Sequence, residues 1–269
     1  MSVGRQDAPA EWDATVYHRV SQPQIAWGGT VLDRLPLQGT ETVIDAGCGS
    51  GHLTASLLER LPNGKVIAVD RSANMIAQAK THLIPRFGDR VSFLQADVSQ
   101  IALEQPVDAI FSTATFHWVL DHEALFQALH ANLRPGGALV AQCGGGPNIA
   151  HLRTRATWLL ESPMYRDVAR GWRDPWEFAS PEATAHRLQR AGFTDIATWL
   201  EPAPTTFHGA ADYREFVQSV VLRAHLDAFP DERSREHFMS DLTTLAAADD
   251  QPFTLDYWRL NIQALRSAA

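Results

Sequence analysis

Three glycines alternate in VIDAGCGSG, residues 43–51: Gly47, Gly49 and Gly51 follow a short apolar run that carries Asp45 near its end. Glycine frees the backbone and lets a ligand approach the main chain closely. A dinucleotide loop is written G-x-G-x-x-G, and His52 stands where its third glycine would fall. The Gly-Lys-Ser/Thr of a P-loop is absent. The spacing therefore suits a ligand lying flat on the backbone, with no pyrophosphate to cradle. Asp70 closes a second apolar run, KVIAVD, and Asp97 a third, VSFLQAD. A carboxylate in the first place accepts both hydroxyls of a ribose and repels a phosphorylated one, while the second accepts from an exocyclic amine. His117 and Trp118 follow a fourth run, where a proton acceptor and an aromatic wall would meet a substrate.

These residues need a frame, and short apolar runs alternating with amphipathic segments predict one: a parallel sheet with crossover helices. Strands are expected at 42–47, 65–70, 91–97, 107–113, 138–144 and 193–200, with a seventh at 256–265 from its period-two pattern. Leu53, Leu57, Leu58 and Leu61 lie at helical spacing before Pro62-Asn63-Gly64. Ser72 reads as the N-cap of a helix to about Leu83, Asp121 as the cap of the next, and RPGG (134–137) as a turn. Ser180-Pro181 opens a helix to Ala191, and two further helices are expected at about 211–229 and 231–247. The acids then sit at the carboxyl ends of parallel strands, beside the switch point where open sheets bind ligands. Residues 147–179 break the rhythm with a segment rich in Trp and Arg.

The chain of 269 residues is 45% hydrophobic and carries a net charge of −8. That balance predicts a globular core and disfavours a groove that tracks nucleic-acid phosphates. The two cysteines, Cys48 and Cys143, suggest no disulfide framework. No run of 18 apolar residues or leader-like segment is present, so a cytoplasmic protein off the membrane is expected. No metal site is expected from the scattered histidines.

Taken in order, VIDAGCGSG, VIAVDRS, FLQADV, DAIFSTATFHW and LRPGGALV resemble the class I methyltransferases that use S-adenosylmethionine, over most of residues 42–144. The resemblance implies an α/β, Rossmann-like, seven-stranded and mostly parallel sheet with the last strand antiparallel. It implies that Gly47–Gly51 pack on the methionine part of the cofactor, that Asp70 holds the ribose and that Asp97 meets the adenine amine. Met75 would pack on the adenine face, and Asp45, Arg71, Val98 and Ser112 would complete the cofactor set. FHWVLDHEALFQAL and WDATVYHRVSQPQ are most similar to the small-molecule branch that includes trans-aconitate methyltransferase and juvenile hormone acid methyltransferase. There an N-terminal helix folds over the cofactor, which points to Tyr17, Gln22 and Gln24. His117-Trp118 replaces the Gln-Trp usual in that branch.

One domain over 1–269 is expected, its core at about 30–146, 180–201 and 254–266. The helical cap would come from 10–29, 147–179 and 205–250. The reading is methyl transfer to a small molecule, on a carboxylate or hydroxyl oxygen, by a monomer or homodimer. His117 is the candidate base, and Trp118, Trp172 and Trp176 join it as candidate substrate contacts. Arg153, Arg155, Arg166, Arg170 and Arg173 offer forks for an acid. An NAD-dependent oxidoreductase, which Asp70 would also suit, and a non-catalytic cofactor-binding partner subunit are the alternatives.

Overall fold

Side chains of the sheet alternate between two buried faces. In β1 (Thr42–Ala46) Val43 faces one apolar cluster and Ile44 the other, and both are fully buried. The computed structural model describes residues 22–172 and 174–268, with the backbone alone for 22–26. After α1 (Gln22–Leu32) and β1 come α2 (His52–Glu59), β2 (Lys65–Asp70), α3 (Ala73–Phe87), β3 (Val91–Gln95) and β4 (Val107–Thr113). Then follow α4 (His122–Asn132), β5 (Leu133–Gly144), α5 (Ala150–Leu160), α6 (Pro181–Arg190) and β6 (Phe193–Pro202). The last elements are α7 (Ala210–Phe216), α8 (Glu232–Ala247) and β7 (Trp258–Arg266). The strand order is β3-β2-β1-β4-β5-β7-β6, with β7 antiparallel to both neighbours and the other pairings parallel. This is the seven-stranded arrangement expected from the resemblance.

Helix caps fall where the sequence puts them. Ser72 accepts from the Met75 N–H, Asp121 from Ala124, Ser180 from Ala183 and Asp231 from Ser234. α3 runs past the expected stop at Leu83, through Pro85 to Phe87. Pro85 is exposed, and burial of Leu83 and Phe87 on the opposite face holds the last turn. β3 stops at Gln95, two residues before Asp97, which lies in the loop beyond. β5 begins at Leu133 rather than Ala138: Val107 pairs with Leu133, and the register then shifts around RPGG. The helix expected at 211–229 is broken. α7 gives way to a π turn, Val217–Val221, in which the Leu222 N–H reaches the Val217 carbonyl at 2.7 Å.

Three apolar clusters build the core. α1, α2 and α3 cover one face of the sheet, and α4 and α6 cover the other. The third cluster stands apart from the strands and joins α5, α7 and α8 through Tyr165, Tyr213, Phe216 and Phe238. Each fully buried leucine or phenylalanine here contributes about 1.5–3 kcal/mol. Residues of 147–179 and 205–250 supply most of this cluster, and Leu255 and Tyr257 complete it. Among the described residues no helix is long and apolar enough to cross a membrane.

Candidate active site

The carboxyl ends of β1, β2 and β4 meet where the strand order reverses, and one cleft opens there. The glycine loop hangs on β2, since the Gly47 and Cys48 N–H groups both donate to the Val69 carbonyl at 2.8 and 2.9 Å. Gly47 has φ +84°, and a Cβ on it would stand 1.9 Å from Thr115 Oγ1. Only glycine fits. A Cβ on Gly49 would meet no protein atom within 4 Å, so the space beside that backbone belongs to the cleft.

Asp70 faces the loop with both oxygens engaged. Oδ2 accepts from the Gly49 N–H and Oδ1 from the Ser72 N–H, each at 2.9 Å. Each oxygen keeps a second lone pair, enough for a vicinal diol. Burial raises this carboxyl above its usual range, and those two N–H groups pull it back. Asp97 accepts the Ser99 N–H and hydroxyl on Oδ1, at 2.8 and 2.6 Å. No bond to its Oδ2 is seen among the described residues. Met75, Val98 and Arg71 line the same end. Flat glycine backbone, a diol acceptor, an apolar face and an amine acceptor together fit an adenosine with a small sulfur-bearing tail.

Three residues of the expected cofactor set lie behind the cleft rather than in its wall. Asp45 is 2% exposed and accepts from Thr54 Oγ1 at 2.6 Å. Gly51 packs under Leu83 of α3. Ser112 donates to the Ala46 carbonyl at 2.7 Å and ties β4 to β1. Tyr17 lies outside the described residues; Gln22 and Gln24 open α1, and their side chains also lie outside them.

Burial pushes the Asp45 carboxyl up to about 7, against the Thr54 bond and with help from the Asp70 charge. The stability that this neutral acid contributes is complete below its unfolded value of 3.8 and is lost as pH rises to about 7. Asp45→Asn keeps an acceptor for Thr54 and cannot ionise. The variant is expected to gain melting temperature relative to the parent as pH rises from 5 to 8. Thermal scans at both pH values check this, and a parallel pH response of the two proteins would sink it.

The other end of the cleft is built on β4, β5 and β7. Ala114 (φ +53°) and Ile149 (φ +50°) line it in left-handed backbone, uncommon for alanine and an outlier for isoleucine. His117 Nδ1 accepts from the Gly144 N–H at 3.3 Å, which places the ring proton on Nε2. Burial holds this imidazole well below its usual 6.5, and nearby Arg259 lowers it further. A neutral ring that accepts on Nδ1 has an Nε2–H to give. Asn148 spends its Oδ1 on the Trp258 N–H at 2.9 Å, which leaves its amide N–H groups to give.

Arg259 is the residue that the sequence reading missed. It is 4% exposed and pairs across the sheet with Gly144, beside His117. Its guanidinium lies over the Trp27 ring at 4.6 Å, and Nε donates to Gln142 Oε1 at 3.4 Å. Gln142 in turn donates to Asn261 Oδ1 at 2.8 Å, and Arg34 donates to the same oxygen. The available signal was a cation inside the period-two strand, between Trp258 and Leu260. Trp118 and Trp176 line the cleft; Trp172 does not, and lines a second cavity with Asp174 and His225, which Trp176 also borders. Among the arginines of 147–179, Arg153 and Arg155 pair with Asp174 and Asp249, and Arg173 lies outside the described residues. No cluster able to hold a metal occurs among the described residues.

Comparison with known proteins agrees with this geometry. Residues 43–137 match the model of a methyltransferase domain family. The trans-aconitate 2-methyltransferase of Methylobacterium nodulans is 30% identical over 89% of this chain and 90% of its own. That of Acidovorax ebreus is 35% identical over 81% and 87%. Among solved structures, Haemonchus contortus phosphoethanolamine N-methyltransferase 2 with S-adenosyl-L-methionine superposes with a TM-score of 0.61. It is 18% identical over 94% of this chain and 56% of that one, a likeness of fold. A family model matched at residues 43–137 and relatives of this identity and extent, on a fold that sets open space beside Gly49 and a strand-end carboxylate at Asp70, make the chain a member of the class I S-adenosylmethionine-dependent methyltransferases, similar among them to the trans-aconitate 2-methyltransferases.

Proposed function

We propose that the enzyme methylates a carboxylate oxygen of a small acid. The observation that carries this is the character of the acceptor end. Arg259, His117 and Asn148 present donors there, and no Asp or Glu lines it among the described residues. An alcohol, phenol or amine acceptor has a proton to lose and calls for an acceptor group. A carboxylate is already ionised and calls for donors. When bound, S-adenosylmethionine supplies a methyl on a cationic sulfur; the carboxylate oxygen bonds it with its own lone pair, the S–CH₃ pair stays on sulfur as the neutral thioether, and no proton moves. The chain's part is to bind, orient and desolvate, which supplies up to about 7–11 kcal/mol in well-aligned cases. The name of the relatives, trans-aconitate 2-methyltransferase, supports an acid acceptor.

Gly47, Gly49, Asp70, Arg71, Met75, Asp97 and Val98 are the proposed cofactor contacts. His117, Trp118, Trp176, Asn148 and Arg259 are proposed for the acceptor. Screening acids, phenols and amines for S-adenosylhomocysteine release, with mass and base-lability of the product, tests the reading. Methyl esters support it; ethers or methylamines overturn it.

The donor role of His117 has its own test. kcat/KM is expected to stay level from pH 6 to 8.5, because the ring is neutral throughout. His117→Gln, which keeps an N–H donor, is expected to retain activity within about tenfold, where loss of a base costs about 10²–10⁴. A rate that rises through pH 6–7 in the parent and stays flat in the variant would restore the base.

A further inference from the structure

Around Arg259 the acceptor end is apolar. Trp118, Ile149, Trp176, Phe178, Val220 and Tyr257 line it. Trp176 and Phe178 stack at 5.3 Å and 17°, and Trp118 stands 6.0 Å from Trp176. Val220 comes from the π turn, so an irregular stretch of helix contributes aliphatic carbon to this wall. Two cations line the cleft among the described residues, and the other, Arg71, stands beside Asp70 at the cofactor end. Arg153 reaches Phe178 at 5.6 Å, but it lines the second cavity and is ion-paired with Asp174 at 2.9 Å.

On the carboxylate reading above, we infer that the acceptor is a monocarboxylic acid with an apolar body, and not a di- or tricarboxylic acid. One carboxylate takes the Arg259 fork and the His117 and Asn148 donors. Each further carboxylate would lose its water against aromatic and aliphatic carbon with no second cation in return among the described residues of that end. An apolar body gains from the same surface. The apolar wall thus selects against the very feature that defines a polyacid.

The parent enzyme is assayed with trans-cinnamate, phenylacetate and octanoate beside trans-aconitate, following S-adenosylhomocysteine release and identifying the ester by mass. Calorimetric titration of the same acids into the S-adenosylhomocysteine complex gives a second readout. The best monoacid is expected to exceed trans-aconitate by at least about 10²-fold in kcat/KM, the effect of stranding one buried charge, with the same order in affinity. Esterification of trans-aconitate at a comparable or greater rate overturns this inference and leaves the carboxylate reading standing. Failure of every acid to bind or react, with a phenol or amine methylated instead, overturns both.

Discussion

Arg259→Met is expected to lower kcat/KM for the acid acceptor by about 10²–10³-fold while leaving S-adenosylhomocysteine affinity within a few-fold of the parent. Arg259 is buried on β7, with Trp27 beneath the guanidinium and Gln142 on Nε. Methionine fills much of the volume of the aliphatic stem, so packing is largely kept. What disappears is the positive fork, and a carboxylate brought beside His117 then meets only neutral donors. Truncating one side of a buried, hydrogen-bonded charge pair costs about 2–5 kcal/mol, which brackets the expected factor. Arg259→Lys keeps the charge but not the planar fork, and an intermediate loss is expected. Steady-state kinetics with calorimetry on the same preparations separates the outcomes. Parent-like kcat/KM in Arg259→Met would remove Arg259 from acceptor binding. Loss of S-adenosylhomocysteine affinity as well would mean that the substitution disturbed the whole cleft.

The contrast between Asp70 and Arg259 explains how much of the molecule was legible in its sequence. Asp70 follows an unbroken apolar run, Val66–Val69, and precedes a capping serine, so its place at a strand end is a local fact. The same holds for Gly47 and for the caps Ser72, Asp121 and Ser180. Arg259 becomes a site residue only because β7 inserts antiparallel between β5 and β6 and sets it opposite Gly144. The pairing joins residues more than a hundred positions apart, and no local pattern encodes it. Trp172 and Trp176 show the same limit within four residues: both read as aromatics of one insertion and both line the second cavity, yet Trp176 alone of the pair also lines the cleft. His117 was found as a residue, but the donor role proposed for it was not, because the Gly144 N–H that takes Nδ1 arrives from another strand. The end of α3 departs in the other direction. It was expected at about Leu83, and burial of Phe87 carries the helix on through Pro85.

Asp70→Ala is expected to weaken S-adenosylhomocysteine binding by at least about 10²-fold, and Asp70→Asn by nearly as much. The carboxylate offers lone pairs to a diol and also terminates two backbone donors, Gly49 N–H on Oδ2 and Ser72 N–H on Oδ1. Charge-assisted bonds of this kind contribute about 1.5–3 kcal/mol each, so losing two ribose contacts alone accounts for the factor. Alanine also strands the two N–H groups, which loosens the loop at Gly49, where the backbone flanks the cleft. Asparagine is isosteric but has one acceptor oxygen. Whichever way the amide turns, its NH₂ opposes one of the two backbone donors, so the loop is strained and one hydroxyl loses its acceptor. Asp70→Glu retains the charge but moves it by a methylene, and binding between the parent and alanine values is expected. Calorimetric titration of the four proteins, with circular dichroism to confirm the fold, checks the order. Asparagine binding as tightly as aspartate would mean that charge and double acceptance do not matter at this position. The ribose would then have to be held elsewhere along the cleft.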